Sequence, residues 1–121
     1  ILRKVVTDDN GTASSANVYG YEVSGKTGTS QYYDDENKNI NTFISSFTVS
    51  NKKYILLVML DDPQIAKDLT YNYRGQKIKG SRNEAGWNAV YSSGKIIEKI
   101  GPILAINNKE ILTHHVVEKT N

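Results

Sequence analysis

The sequence contains no cysteine, which removes disulfides and thiolate catalysis from its chemistry without fixing a compartment. No charge of one sign dominates. Fifteen Lys and Arg stand against 13 Asp and Glu, for a formal charge of +2, and the lysines are mostly interleaved with acids, so nothing marks a nucleic-acid binder. The longest wholly apolar stretch, Ile55 to Leu60, is far shorter than the roughly 20 residues a membrane-spanning helix needs. There is no initiator Met, charged n-region or signal peptide at the start. With 121 residues, 23% of them charged, the chain has the size and composition of one soluble domain with a modest core.

The apolar pattern begins at once. Leu2, Val5 and Val6 have helical spacing from the first residues, so Ile1 to Val6 reads as the last turns of a longer helix ended by Thr7-Asp-Asp-Asn-Gly11, and the natural protein is expected to continue upstream. A strand is expected near Val18 to Thr29, then a polar loop through Asn41, then a hairpin of Thr42 to Val49 and Lys53 to Leu60 turned by Ser50-Asn51-Lys52. Tyr54 to Leu60 is apolar throughout, which predicts a strand buried on both faces and central in its sheet. Asp61-Asp62-Pro63 ends it, and the tyrosine- and lysine-rich stretch to Gly80 shows no clear pattern. Ser81-Arg-Asn-Glu84 matches a capping box before a helix through Trp87, Val90, Tyr91, Gly94 and Ile97. Gly101-Pro102 is expected to stop that helix, leaving 1–102 as an ordered core and 103–121 as an irregular tail. The fold class is therefore α+β: antiparallel strands with a helix on one face and the other face open.

The segment richest in chemistry is Val23-Ser-Gly-Lys-Thr-Gly-Thr-Ser30. Lys-Thr-Gly on a strand is one of three motifs that surround an acylated serine, and the chain has too little sequence before Lys26 to contain the two serine-bearing motifs. The same residues fit a phosphate-binding loop, since Gly20, Gly25, Lys26 and Thr27 satisfy G-x-x-x-x-G-K-[ST], with Asp61 and Asp62 as acids for magnesium. That reading needs a strand before Gly20 and a helix after Thr27. The sequence offers small polar residues before and a polar run after, while Tyr21-Glu-Val-Ser24 alternates as a strand does.

The order of these elements resembles the C-terminal part of the transpeptidase domain of class B penicillin-binding proteins, the cell-division type. The match runs through Leu2-Arg-Lys-Val-Val6, Gly11-Thr-Ala13, Gly20-Tyr21, Ser24-Gly-Lys-Thr-Gly-Thr-Ser-Gln31, Ile44-Ser-Ser-Phe47, Tyr54 to Pro63 and Gly86-Trp87-Asn-Ala89. The resemblance implies a peptidoglycan D,D-transpeptidase in which a serine attacks a D-alanyl-D-alanine carbonyl and β-lactams acylate the same serine. It implies that Lys26 supports the site by charge and hydrogen bonding, that Thr27, Gly28 and Thr29 bind substrate, and that the Thr29 backbone N–H is an oxyanion donor. Gly28, lacking a Cβ, would admit the acyl group close to the backbone. The resemblance further implies no cofactor or metal, division proteins as partners of the parent, and an extracytoplasmic domain of a membrane-anchored parent. The chain itself would be inert for want of the upstream serine. A penicillin- or partner-binding domain without catalysis is the alternative, and a nucleotide-binding module a further one.

Literal matches to the missing motifs exist at Ser50-x-x-Lys53, Ser92-x-x-Lys95, Ser15-x-Asn17 and Ser81-x-Asn83, but they lie in the wrong elements or order and are read as coincidental. Asp34, Asp35 and Glu36 are read as a solvated loop, Trp87, Val90 and Tyr91 as a core face, and His114 and His115 as surface residues that do not face one ion.

Overall fold

A computed structural model describes residues 1–65, 67–73, 76–80 and 83–120. In chain order the elements are α1 (Leu2–Thr7), β1 (Ser24–Gln31), β2 (Asn39–Val49), β3 (Lys52–Asp61), the short pair β4 (Thr70–Tyr73) and β5 (Gln76–Lys79), and α2 (Ala89–Thr120). Two 3-10 turns, Ser14–Ala16 and Ala85–Trp87, precede β1 and α2. β1, β2 and β3 form an antiparallel sheet in that order, and β4 and β5 a separate antiparallel ribbon. The expected α+β arrangement, with the helix on one face of an antiparallel sheet, is what forms.

The hairpin between β2 and β3 turns on two residues, Ser50 and Asn51, both at positive φ (50° and 63°). A two-residue loop left-handed at both positions matches the twist of its flanking strands, and it fixes a register that pairs Phe47 with Tyr54 and Phe43 with Val58. Those pairs set the inner face. Phe43 and Phe47 are fully buried with Val6, Val23, Val90 and Ile97, and Phe47 is the centre of an aromatic stack, edge-on to Tyr21 at 6.5 Å and stacked with Tyr54 at 5.7 Å. Offset and edge-to-face contacts at such distances add to the burial itself.

β3 is not the central, doubly buried strand its composition predicts. It lies at the other end of the order from β1, and it alternates: Tyr54, Leu56, Val58 and Leu60 pack on the core, while Ile55, Leu57 and Met59 are 73%, 55% and 60% exposed. A continuous apolar run reports apolar surroundings, not which strand is central, and here one face of the run is open. The outer face also carries Ile44, exposed at 49%. β1 begins later than expected, at Ser24, because the lead-in is held by turns; Tyr21 N–H donates to Val18 C=O at 3.2 Å and Val23 N–H to Tyr21 C=O at 3.1 Å. In α1, Val6 is buried and Val5 packs against the core, but Leu2 is half exposed.

α2 departs most from expectation. Its N-terminal cap is Asn88, whose Oδ1 accepts the Ala89 N–H at 2.6 Å; Ser81 and Arg82 of the expected capping box lie outside the described residues. Gly101-Pro102 does not stop the helix, which runs on to Thr120, so the irregular tail expected over 103–121 is helical through residue 120. The reason for Gly101 is packing: a Cβ there would fall 2.2 Å from the Tyr21 ring, so glycine makes room for a core aromatic rather than a break. Pro102, exposed, forgoes one intrahelical bond, and the turns either side continue. Ala89, Val90, Ser93, Gly94, Ile97, Gly101 and Asn108 form the buried stripe. At about 1.5 Å per residue the 32 residues outrun the sheet. Beyond Asn108 the helix is exposed all round.

Candidate functional site

Edge position governs the Lys-Thr-Gly strand. β1 pairs only with β2 in the described sheet, so alternate N–H and C=O groups of Thr27 and Thr29, two residues apart, share one direction. The register pairs Lys26 with Ile44 and Ile44 with Leu57, both exposed. Lys26 therefore stands on the outer face, and Thr27, opposite the buried Phe43, on the inner one. Side chains on opposite faces can meet one ligand only along the free edge.

Each of the four residues has a specific setting. Lys26 is exposed, and its Nζ donates to the Thr27 carbonyl at 2.8 Å. Thr27 Oγ1 lies 3.5 Å from Thr12 Oγ1, at the limit of hydrogen-bond reach. Thr29 Oγ1 accepts the Ala85 N–H at 3.2 Å, which ties the strand to the turn before α2 and leaves the hydroxyl proton free to donate elsewhere. Gly28 has a reason within the sheet itself: a Cβ there would fall 2.6 Å from Thr42 Oγ1, whose hydroxyl donates to Gly28 C=O at 3.3 Å.

Close approach recurs at Gly25, where a Cβ would meet Ile44 O and the Phe43 ring at 2.6 Å. This is the second glycine of the alternative phosphate-loop pattern. It lies inside β1, as do Lys26 and Thr27, and no helix follows, since β1 leads through a loop to β2. The backbone is extended where a phosphate cradle must curl, so the nucleotide reading has no geometric basis.

The loop after β1 is fastened to the end of β3. Tyr32 Oη donates to Asp61 Oδ1, and Asp62 N–H donates to Asn39 C=O at 2.9 Å. The Asp61 hydrogen bond, with slight burial and the nearby charges of Asp61, Asp62 and Asp34, raises the Tyr32 phenol above its ordinary value. Asp35 closes its own turn by accepting the Asn37 N–H at 3.0 Å, as expected of a solvated acidic loop, and the described residues contain no cluster of His, Asp and Glu arranged to hold a metal ion.

The literal serine motifs are scattered. Ser50 is in the hairpin turn, Ser15 in the first 3-10 turn, and Ser92 and Lys95 on α2, while Ser81 lies outside the described residues. Thr42 and the Ala85 backbone, which touch the Lys-Thr-Gly strand, were not legible in the sequence, and Thr12, part of the Gly11-Thr-Ala13 match, was not legible as a contact of that strand. Each is distant along the chain, and no local signature marks the contact. Among the described residues no helix is long and apolar enough to cross a membrane.

Comparison with known proteins agrees with this geometry. The family described as the penicillin binding protein transpeptidase domain matches residues 1–82. A probable peptidoglycan D,D-transpeptidase FtsI of Caulobacter vibrioides is 28% identical over 120 residues, covering 90% of this chain and 19% of that protein. The peptidoglycan D,D-transpeptidase FtsI homolog of Mesostigma viride is 32% identical over 111 residues, covering 88% of the chain and 16% of its own length. Penicillin-binding protein PbpB of Mycobacterium tuberculosis is 34% identical over 100 residues, covering 72% and 14% respectively. The chain thus spans less than a fifth of the length of these relatives. No solved structure matches. On the family match, the FtsI and PbpB relatives and the ordered strands and helix, the chain belongs to the transpeptidase family of class B penicillin-binding proteins.

Proposed function

We propose that this chain forms the Lys-Thr-Gly wall of a peptidoglycan D,D-transpeptidase site and that the serine nucleophile is carried by sequence outside these 121 residues. The observation that carries the reading is the edge position of β1, with Lys26 and Thr27 on opposite faces of one unpaired edge, in a chain of this family. In the proposed site a D-alanyl-D-alanine stem peptide lies along that edge as an added strand. Lys26 supplies positive charge and a hydrogen bond toward the serine machinery. The hydroxyls of Thr27 and Thr29 hold the substrate carboxylate, and the Thr29 N–H receives the oxyanion, a contribution whose loss typically costs about 2.7–4 kcal/mol of transition-state stabilisation. Acylation joins the serine oxygen to the carbonyl carbon and expels D-alanine; a second stem peptide's amine then takes the acyl group and restores the serine. β-Lactams acylate the same serine, the C–N bond of the ring breaking and the leaving nitrogen staying tethered to the acyl group. No cofactor is required, the parent acts outside the cytoplasm from a membrane anchor, and division proteins are its partners.

Labelled penicillin incubated with a longer product extended upstream, beside this chain, tests the proposal by peptide mass spectrometry. The expected result is a label on an upstream serine, slowed or lost in Lys26→Ala and absent from the short chain. A stable adduct on Ser50 or Ser92 would overturn it, and no label on either polypeptide would leave a non-catalytic penicillin- or partner-binding domain as the better reading.

A further inference from the structure

The structure holds a cavity that the proposed transpeptidase role does not use. It lies where the first 3-10 turn, the β4–β5 ribbon and the first turns of α2 come together, and its volume is about 460 Å³, within the range of small-molecule sites. The described residues lining it include Lys77, Lys95, Thr70, Tyr91, Asn17 and Ser15, with no Asp or Glu among them. Three separate elements therefore bring two cations and several hydrogen-bond donors to one concave wall.

The wall is built, not incidental. Gly94 lets α2 approach the backbone of the 3-10 turn so closely that a Cβ there would fall 2.5 Å from Ser15 O, and this contact carries Tyr91 and Lys95, one turn before and one residue after, to the cavity. Ser15 Oγ is buried and has no hydrogen-bond partner, although Ser15 lines the space. That hydroxyl has almost no accessible surface, so Ser15 meets the space with its other atoms. Lys95 stands 5.8 Å from the centre of the Tyr91 ring and 3.3 Å from Glu98. That ion pair is solvent-exposed, with both side chains more than half accessible, and so competes weakly for the ammonium.

We propose that this cavity binds a small soluble molecule bearing a phosphate group, with Lys77 and Lys95 as its counter-ions and Thr70 as a hydroxyl donor to its oxygens. A tetrahedral, doubly charged oxyanion suits the site because it accepts from several directions at once and is neutralised by two ammonium groups. The proposal stands apart from the reading of β1: none of its residues belongs to that strand.

The test is a titration of the isotopically labelled chain with inorganic phosphate and with a sugar monophosphate at constant ionic strength, followed by amide chemical shifts. The expected result is saturable movement of the Ser15, Asn17 and Lys95 amides by either compound. The affinity should weaken at least tenfold in a Lys77→Gln, Lys95→Gln double variant whose remaining spectrum is unchanged, and stay the same in Lys119→Gln, on the exposed end of α2. Linear, non-saturating shifts, or saturation that the double variant leaves intact, would overturn the proposal. So would binding to phosphatidylglycerol vesicles with none to the soluble phosphates, since that outcome assigns the lysines to a surface and not to a cavity.

Discussion

Gly94→Ala sets two physical effects of opposite sign against each other. In a helix interior alanine is favoured over glycine by about 0.8–1.0 kcal/mol, so propensity alone makes the variant more stable. The structure argues otherwise. Gly94 is buried, and the added Cβ would lie 2.5 Å from Ser15 O, 3.2 Å from Ala16 Cα and 3.4 Å from Ser15 C. All three obstacles are backbone, so no side-chain rotation relieves them. Ala13 and Ala16, on the same turn, are fully buried, so the turn can retreat only by opening its own packing. Overpacking of a well-filled core costs about 1–3 kcal/mol; with a backbone obstacle the upper part of that range applies, and after the propensity gain the net loss is about 1–2 kcal/mol. For a chain of this length that lowers Tm by roughly 3–10 °C. Urea denaturation followed by helical circular dichroism gives the free energy, and amide shifts give the location, with Ser14 to Asn17 moving and β3 unmoved. A variant as stable as the parent, or more so, would refute the close helix-to-turn contact.

Phe47→Ala removes a fully buried ring that touches both Tyr21 and Tyr54 and is expected to cost about 3–5 kcal/mol by the same denaturation assay; a loss below 1 kcal/mol would contradict its central position. Asn108 is buried on α2, donates to Tyr54 Oη at 2.9 Å and accepts the Tyr54 hydroxyl at 3.2 Å. Asn108→Leu should therefore cost about 1–3 kcal/mol by stranding that hydroxyl, and Tyr54→Phe in the same chain should recover part of it, whereas strict additivity of the two changes would deny the pair. Tyr32, its hydroxyl held by Asp61, titrates above its ordinary value. A folded-state value raised above the unfolded one gives stability that is complete below the unfolded value near 10 and is lost as pH rises through the folded value; because the hydrogen bond is solvent-exposed, the effect on stability is small. Tyrosine ring-carbon NMR should show the Tyr32 transition move down in Asp61→Asn, and an unmoved transition would exclude the hydrogen bond as its cause.

Much of this protein was settled by local pattern. The hairpin of β2 and β3 was legible because two long runs of strand-forming residues flank Ser50 and Asn51, and a strand through Lys26 because Tyr21 to Ser24 alternates as a strand does. The Lys-Thr-Gly strand and the family it belongs to were legible for the same reason: their signal lies in residue types at fixed order along the chain. Tertiary contacts decided the rest. Glycine at 101 reads locally as a helix stop, and only the Tyr21 ring packed against it shows why the helix continues. The apolar run of β3 reads as doubly buried, and only the strand order leaves Ile55, Leu57 and Met59 on an open face. Gly28 reads as room for a substrate, and Thr42 across the sheet supplies a reason of its own. The cavity beside α2 joins residues from 14 to 95 and has no trace in any single segment, since periodicity and composition report each residue's own neighbourhood, whereas convergence of distant elements is fixed only when their buried faces are packed together.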